Sequence, residues 1–222
     1  GLNSMVGLAS GPNRDERVLL ALVRMGNGQS HDRAWGALRG LALGDALGMP
    51  TQSMTREQIV HRFGELIPGL MAADSDHPYA PGLAAGTVTD DTEQSVLVSH
   101  LLIEGDGKVA PESMATMLMS WEKSVKARGL HDLLGPSTSA ALAEWRGGTP
   151  PSETGRRGIT NGAAMRVTPV GIATPPDLSE LVESVLMISS LTHGTDVALG
   201  AAGCIAGCVS ALIEGFNWPD AT

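Results

Sequence analysis

The chain has 222 residues, 42% hydrophobic and 18% charged, enough for one sizeable globular core. Its net charge is −9 and no Lys/Arg-rich block exists, which excludes a nucleic-acid polymer as partner because phosphate neutralisation needs a basic face. Aromatic residues reach only 3% against 28 glycines, so the core must be built from Ala, Leu, Val, Ile and Met, which favours closely packed helices over a sandwich.

Residues 1–32 read as a flexible leader without secretory-signal features, with a short helix predicted over Glu16–Met25. The remaining chain, 33–222, reads as one helical domain. Ala34–Leu47 is its first predicted helix and carries Gly36, Gly40 and Gly44, with Gly48 just beyond, spaced four apart. Each such Gly costs roughly 1 kcal/mol relative to Ala, so the stripe predicts close approach of another backbone. Pro50 ends this element. Thr55 starts a short helix, and Thr55-Arg56-Glu57-Gln58 has the form of a capping box. Pro68–Val88 is a long loop rich in Gly, Pro, Asp and Ala, a length that in a compact domain marks function or disorder.

Helices are then predicted over Asp91–Ile103, Pro111–Lys126 and Ser137–Trp145. Met114, Met117, Leu118 and Trp121 fall at helical spacing and read as core. Gly147–Thr160 is a polar linker, and Thr160–Ile172 holds a helical turn ending near Pro169. Asp177 or Ser179 caps a helix running to about Ser190, and Thr195–Glu214 forms a last helix dense in Ala and Gly. Cys204 and Cys208 share one face of it and read as small buried thiols, compatible with a reducing cytoplasm. No stretch approaches ~18 uninterrupted apolar residues, so no membrane span is expected. Alternating strand patterns are lacking throughout, and the expected class is all-α.

Five segments offer chemistry. Gly86-Thr87-Val88-Thr89-Asp90-Asp91-Thr92 places a hydroxyl and two carboxylates where a loop becomes a helix. Hard cations such as Mg²⁺ want such oxygen ligands, but Thr and Asp also suit an ordinary helix start. Asp45, within Gly44-Asp45-Ala46-Leu47-Gly48, is costly to bury unless paired, and reads as a polar anchor between helices or a group near a metal. Thr160-Asn161-Gly162 suggests a turn into a short helix whose free N–H groups suit a phosphate, and Gly135-Pro136-Ser137-Thr138-Ser139 offers the same at another helix start. Thr192-His193-Gly194-Thr195 lies between two apolar helices, and a lone His there more often serves structure than catalysis.

Taken in order, GLALGDALGMP, GTVTDDT, TNGAAMRVTPVGI and THGTDVALGAAGCIAGCVSALIEG resemble the ADP-ribosylglycohydrolases, over about Arg33–Glu214. The resemblance implies a compact all-α fold with a dinuclear Mg²⁺ or Mn²⁺ centre in a cleft. It implies Thr89, Asp90 and Asp91 as metal ligands, with Asp90 and Asp91 as the catalytic candidates. Asn161, Gly162 and His193 are placed near bound ADP-ribose, and Gln52 near substrate where many relatives carry an acidic residue. The implied reaction is hydrolysis of the glycosidic bond joining ADP-ribose to a protein side chain or a small molecule. A catalytically silent ADP-ribose-binding module and a helical interaction protein are the alternatives. Relatives continue to a second Asp-x-Asp-Thr element, whereas this chain ends at Asp220-Ala221-Thr222. The expectation is therefore a C-terminally truncated form with half a metal shell, weak activity, and homo-oligomerisation through the last helix.

Overall fold

The computed structural model describes residues 28–130, 134–217 and Pro219. Among the described residues the secondary structure is helical and no strand occurs. The helix expected over Glu16–Met25 lies outside them.

The first helix, α1, spans Gly28–Gly48 and starts before the expected Ala34, taking in residues assigned to the leader. A short 3₁₀ turn, Met49–Thr51, follows, with Pro50 inside it. Helix α2, Arg56–Phe63, opens on the expected capping box: Thr55 accepts from the Gln58 N–H, and the Gln58 side chain accepts from the Thr55 N–H. The loop that follows is packed around buried Ala73, His77 and Ala80, with His77 Nδ1 accepting from the Tyr79 and Ala80 N–H groups.

Helices α3 (Asp90–Glu104), α4 (Pro111–Ala127) and α5 (Pro136–Arg146) come next. In α4 the buried row is Met114, Leu118, Trp121 and Val125, the expected core stripe. The segment read as a linker contains a short helix, α6 (Pro151–Thr154), and is clamped to the rest. The Gly194 N–H donates to the Gly155 carbonyl at 2.7 Å, and the Thr195 hydroxyl to the Gly158 carbonyl at 2.7 Å. A 3₁₀ turn (Ala164–Arg166) leads into α7 (Thr168–Ala173). Pro169 therefore starts a helix where it was expected to end one, because proline fits the first turn, where its missing N–H has no partner to lose.

Helix α8, Leu178–Ser189, is capped by Asp177, whose carboxylate accepts from the Ser179 and Glu180 N–H groups. Helix α9, Asp196–Glu214, packs on α7 and α8. The main core joins α3, α4, α8 and α9 through Val98, Met114, Leu118, Ile188, Ala202 and Ala206.

Two expectations about small residues are corrected. A Cβ added at Gly36, Gly40, Gly44 or Gly48 would meet nothing within 4 Å, so the α1 stripe has no neighbouring backbone among the described residues. Close approach falls instead at Gly171, where a Cβ would sit 2.5 Å from the Ala206 carbonyl oxygen. Cys204 is exposed and Cys208 half-buried. The buried row of α9 is Ala198, Ala202, Ala206 and Ser210, and Cys204 falls between its members, beside exposed Val197 and Ile205. By length and composition alone α9 is also apolar enough to cross a membrane, although its Ala198, Ala202, Ala206 and Ser210 face is buried in the core.

These contacts separate two glycines of similar propensity. Gly40→Ala is expected to stabilise by about 0.5–1 kcal/mol, because it removes backbone entropy and meets no atom. Gly171→Ala is expected to destabilise by about 1–3 kcal/mol through overpacking against α9. Urea denaturation of the two variants checks both signs.

Candidate active site

Asp45, on α1, organises the site. Its Oδ2 accepts from the Thr89 N–H at 2.8 Å, the Thr92 N–H at 3.2 Å and the Thr92 hydroxyl at 2.6 Å. Its Oδ1 accepts from the Thr89 hydroxyl at 2.7 Å. The free N–H groups at the start of α3 are thus capped by a carboxylate from another helix, while Thr89, at the N-cap position, makes no side-chain cap of its own. The reading of Thr89-Asp90-Asp91 as plain capping fails for this reason. The cap comes from Asp45, and the Thr89 oxygen keeps lone pairs free because its proton is used on Asp45.

Asp90 and Asp91 then occupy the first turn of α3, where the helix dipole favours negative charge. Burial, and then the charge of Asp91, push the Asp90 pKa up to about 7. Burial, and then the charge of Asp45, raise Asp91. Asp90 Oδ1 is buried and has no hydrogen-bond partner among the described residues. Thr89 Oγ1 lies 3.5 Å from Asp91 Oδ2.

Asp90 forms part of the lining of a cleft of about 510 Å³. Gln52, Asn161 and Gly162, singled out in the sequence, line the same cleft. Gln52 and Ser53 follow the 3₁₀ turn, with Ser53 at φ 65°. Tyr79 comes from the packed loop, and Thr138 and Ser139 from the first turn of α5. Gly135, at φ 73°, forms the N-cap of α5 without a side-chain cap among the described residues, with helix N–H groups at the cleft wall.

His193, expected near the ligand, is fully buried and sits behind that wall. The reason is Gly162, where an added Cβ would lie 2.6 Å from the imidazole Cε1. Burial, and then the charge of Arg166, lower the His193 pKa to about 4. Arg166, itself fully buried, donates to Gln94 Oε1 at 3.0 Å and to the Thr192 hydroxyl. Sequence reasoning gave no role of their own to Ser53, Tyr79, Thr160 or Arg166, although Thr160 and Arg166 belong to the TNGAAMR segment. A lone Arg inside the apolar run Ala163–Ile172 was the one available signal of a buried charge.

Asp45, Thr89, Asp90 and Asp91 crowd negative charge and hydroxyl oxygen together, a donor set that suits a hard cation. Among the described residues, no three His, Cys, Asp or Glu side chains meet as a complete metal-holding group.

The raised Asp90 pKa sets a pH dependence. Between the ordinary carboxylate range and about pH 7 the folded chain keeps a proton that the unfolded chain has lost, so stability falls as pH rises through that window. Asp90→Asn is expected to flatten this slope and to melt higher than the parent at pH 7.5 without added cations. Thermal melts from pH 4.5 to 7.5 measure it.

The chain matches the ADP-ribosylglycohydrolase family over residues 27–222. It is 35% identical over 188 residues to the Escherichia coli protein YegU, covering 84% of this chain and 56% of that protein. It is 33% identical over 191 residues to the ADP-ribosyl-[dinitrogen reductase] glycohydrolase of Rhodospirillum rubrum, covering 83% and 59%. It is 29% identical over 198 residues to the ADP-ribosylarginine hydrolase Tri1 of Pseudomonas putida, covering 84% and 48%. The chain thus spans roughly half of the length of these relatives. With the family match covering all but the first residues, this chain belongs to the ADP-ribosylglycohydrolases.

Proposed function

We propose that the cleft takes an ADP-ribosyl group and hydrolyses the glycosidic bond at its distal ribose. The observation that carries this reading is the placement of Asp90, a carboxyl titrating near neutrality, in one cleft with Gln52, Asn161, Gly162 and the uncapped start of α5. The relatives named for a reaction share an ADP-ribosyl group in their names, one on dinitrogen reductase and one on arginine. That shared group is the part of the substrate proposed for this cleft, and the leaving group is the protein side chain or small molecule to which the ADP-ribose is joined.

The residues divide the work by chemistry. The N–H groups at the start of α5, beside the Thr138 and Ser139 hydroxyls, suit the negative diphosphate. Asn161 and Gln52 offer amide groups to ribose hydroxyls. Asp90 takes the proton of the attacking water as the new C–O bond forms and the bond to the leaving group breaks. Without a bound cation its pKa lies at about 7, and the proton it accepts passes on to the departing group. Asp91 supplies negative charge close to the positive character that develops on the ribose ring.

Thr89, Asp90 and Asp91 would hold the Mg²⁺ or Mn²⁺ that the family implies. The fit rests on the buried, unpartnered Asp90 Oδ1 and on the Thr89 oxygen, whose proton already faces Asp45. A bound cation would orient a water and lower its pKa. It would also offset the repulsion that raises Asp90 and Asp91.

ADP-ribose release from ADP-ribosylarginine, followed chromatographically with Mg²⁺ present, tests the reading. Weak turnover is expected, and Asp90→Asn should lower it by about 10²-fold or more, the range of a lost general base. ADP-ribose binding without release would instead favour the silent binding module, and neither binding nor release would sink the assignment. Independently of turnover, Mg²⁺ is expected to raise the melting temperature at pH 7.5 and to do so less at pH 5, where Asp90 holds its proton. Asp90→Asn should lose that shift.

A further inference from the structure

Behind the cleft wall runs a line of hydrogen bonds that the reaction above leaves unused. It starts at Arg166, whose guanidinium donates to the Thr192 hydroxyl. A guanidinium can only donate, so the Thr192 oxygen is the acceptor in that bond. The same oxygen lies 2.8 Å from His193 Nδ1. Thr192 is fully buried, and among the described residues no other acceptor reaches its hydroxyl proton. Were Nδ1 protonated, that proton would be stranded in a dry interior, so it is donated to Nδ1 instead.

This choice fixes the rest of the line. Burial and the Arg166 charge keep His193 neutral, so the ring carries one proton, and it must be on Nε2. Nε2 lies 2.8 Å from Thr160 Oγ1 and donates to it. The Thr160 oxygen is thereby an acceptor on its inner side, and its own proton is free. Thr160 lines the cleft next to Asn161 and Gly162.

The framework holding the line is tight. Added Cβ atoms at Gly155 and Gly158 would lie within 2.0 Å of the Ser190 and Thr192 carbonyl oxygens, and at Gly162 one would strike the imidazole. The segments bearing His193 and Thr160 therefore cannot separate without breaking several contacts at once.

We propose that Thr160 is a specificity-determining residue of the cleft, a hydroxyl whose proton the Arg166–Thr192–His193 line leaves available to an acceptor oxygen of the bound ADP-ribose. This rests on the reading of the cleft as an ADP-ribosyl site. A hydroxyl normally donates or accepts as its partner requires. Here one of the two lone pairs is taken from within and the proton has no inner partner among the described residues, so the cleft favours a ligand oxygen that accepts at that point.

Two measurements test it. Calorimetric titration with ADP-ribose in Mg²⁺ buffer compares the parent with Thr160→Val and Thr160→Ser. The Val variant is expected to bind about tenfold more weakly, the loss of one hydrogen bond to a charged or polar ligand, while the Ser variant stays within about twofold. Nitrogen-15 NMR of the His193 ring in the parent should report the neutral Nε2–H form across pH 6–8. Equal binding by parent and Thr160→Val overturns the inference and leaves the ADP-ribosyl reading standing. An Nδ1–H or doubly protonated ring overturns it as well. Absence of ADP-ribose binding by the parent overturns both.

Discussion

The carboxylate of Asp45 is the contact on which the site depends. It joins α1 to the start of α3 across more than forty residues of sequence, accepting from the N–H and the hydroxyl of both Thr89 and Thr92. Hydrogen bonds to a charged acceptor are worth more than neutral ones, about 1.5–3 kcal/mol each, so this cluster offsets the cost of placing Asp45 beside two other carboxylates. It also decides what Thr89 can do. A threonine that capped its own helix would aim its oxygen at the N–H three residues on, and its lone pairs would be spent there. With Asp45 in that role, Thr89 gives away its proton and keeps its acceptor capacity. Asp90, next along the chain, is left facing the cleft with one oxygen unpartnered.

Charge is distributed unevenly around that cleft. Asp90 stands in one wall, and the charges of Asp91 and Asp45 near it add to the burial that raises Asp90, as that of Asp45 does for Asp91. Behind the wall formed by Thr160–Gly162 lies Arg166, a guanidinium without exposed surface. Burial lowers its pKa to about 10, and the charge of Asp90 opposes that shift, so it remains a cation at neutral pH. The same charge helps to keep His193 neutral. A neutral imidazole between two threonine hydroxyls orients protons and does not exchange them with solvent, which removes His193 from acid–base work and leaves that to Asp90.

Much of the fold was legible because local rules were obeyed. The Thr55 capping box, the Asp177 cap and the Met114–Trp121 stripe each depend on neighbours within a turn or two of helix, and each stands where its pattern placed it. The cleft was legible only through segments in combination, since Gln52, Asp90 and Asn161 meet across the whole length of the domain. What stayed hidden depends on partners that no spacing encodes. Asp45 reads as an anchor from its apolar surroundings, but nothing in GDALG says that its oxygens cap another helix. His193 looks like a ligand-facing residue until Gly162 is seen to let the ring pack beneath the wall.

Glycine shows most plainly why pattern and packing part company. Gly36, Gly40, Gly44 and Gly48 form the most regular stripe in the sequence, yet they face open space among the described residues. Gly155, Gly158 and Gly162 lie in irregular chain, yet each admits another backbone or ring at a distance that a single methyl group would forbid. The difference lies in what the backbone does around them. On a regular helix a missing Cβ only opens a groove, and a groove needs a partner before it stabilises anything. In the segment that leads to Asn161, the missing Cβ is what lets two irregular strands of chain exchange hydrogen bonds directly, as the Gly194 N–H does with the Gly155 carbonyl. Those direct bonds give the irregular segment the rigidity that a helix would otherwise supply. They explain how Thr160, Asn161 and Gly162 can line a binding cleft from a loop without being left free to move.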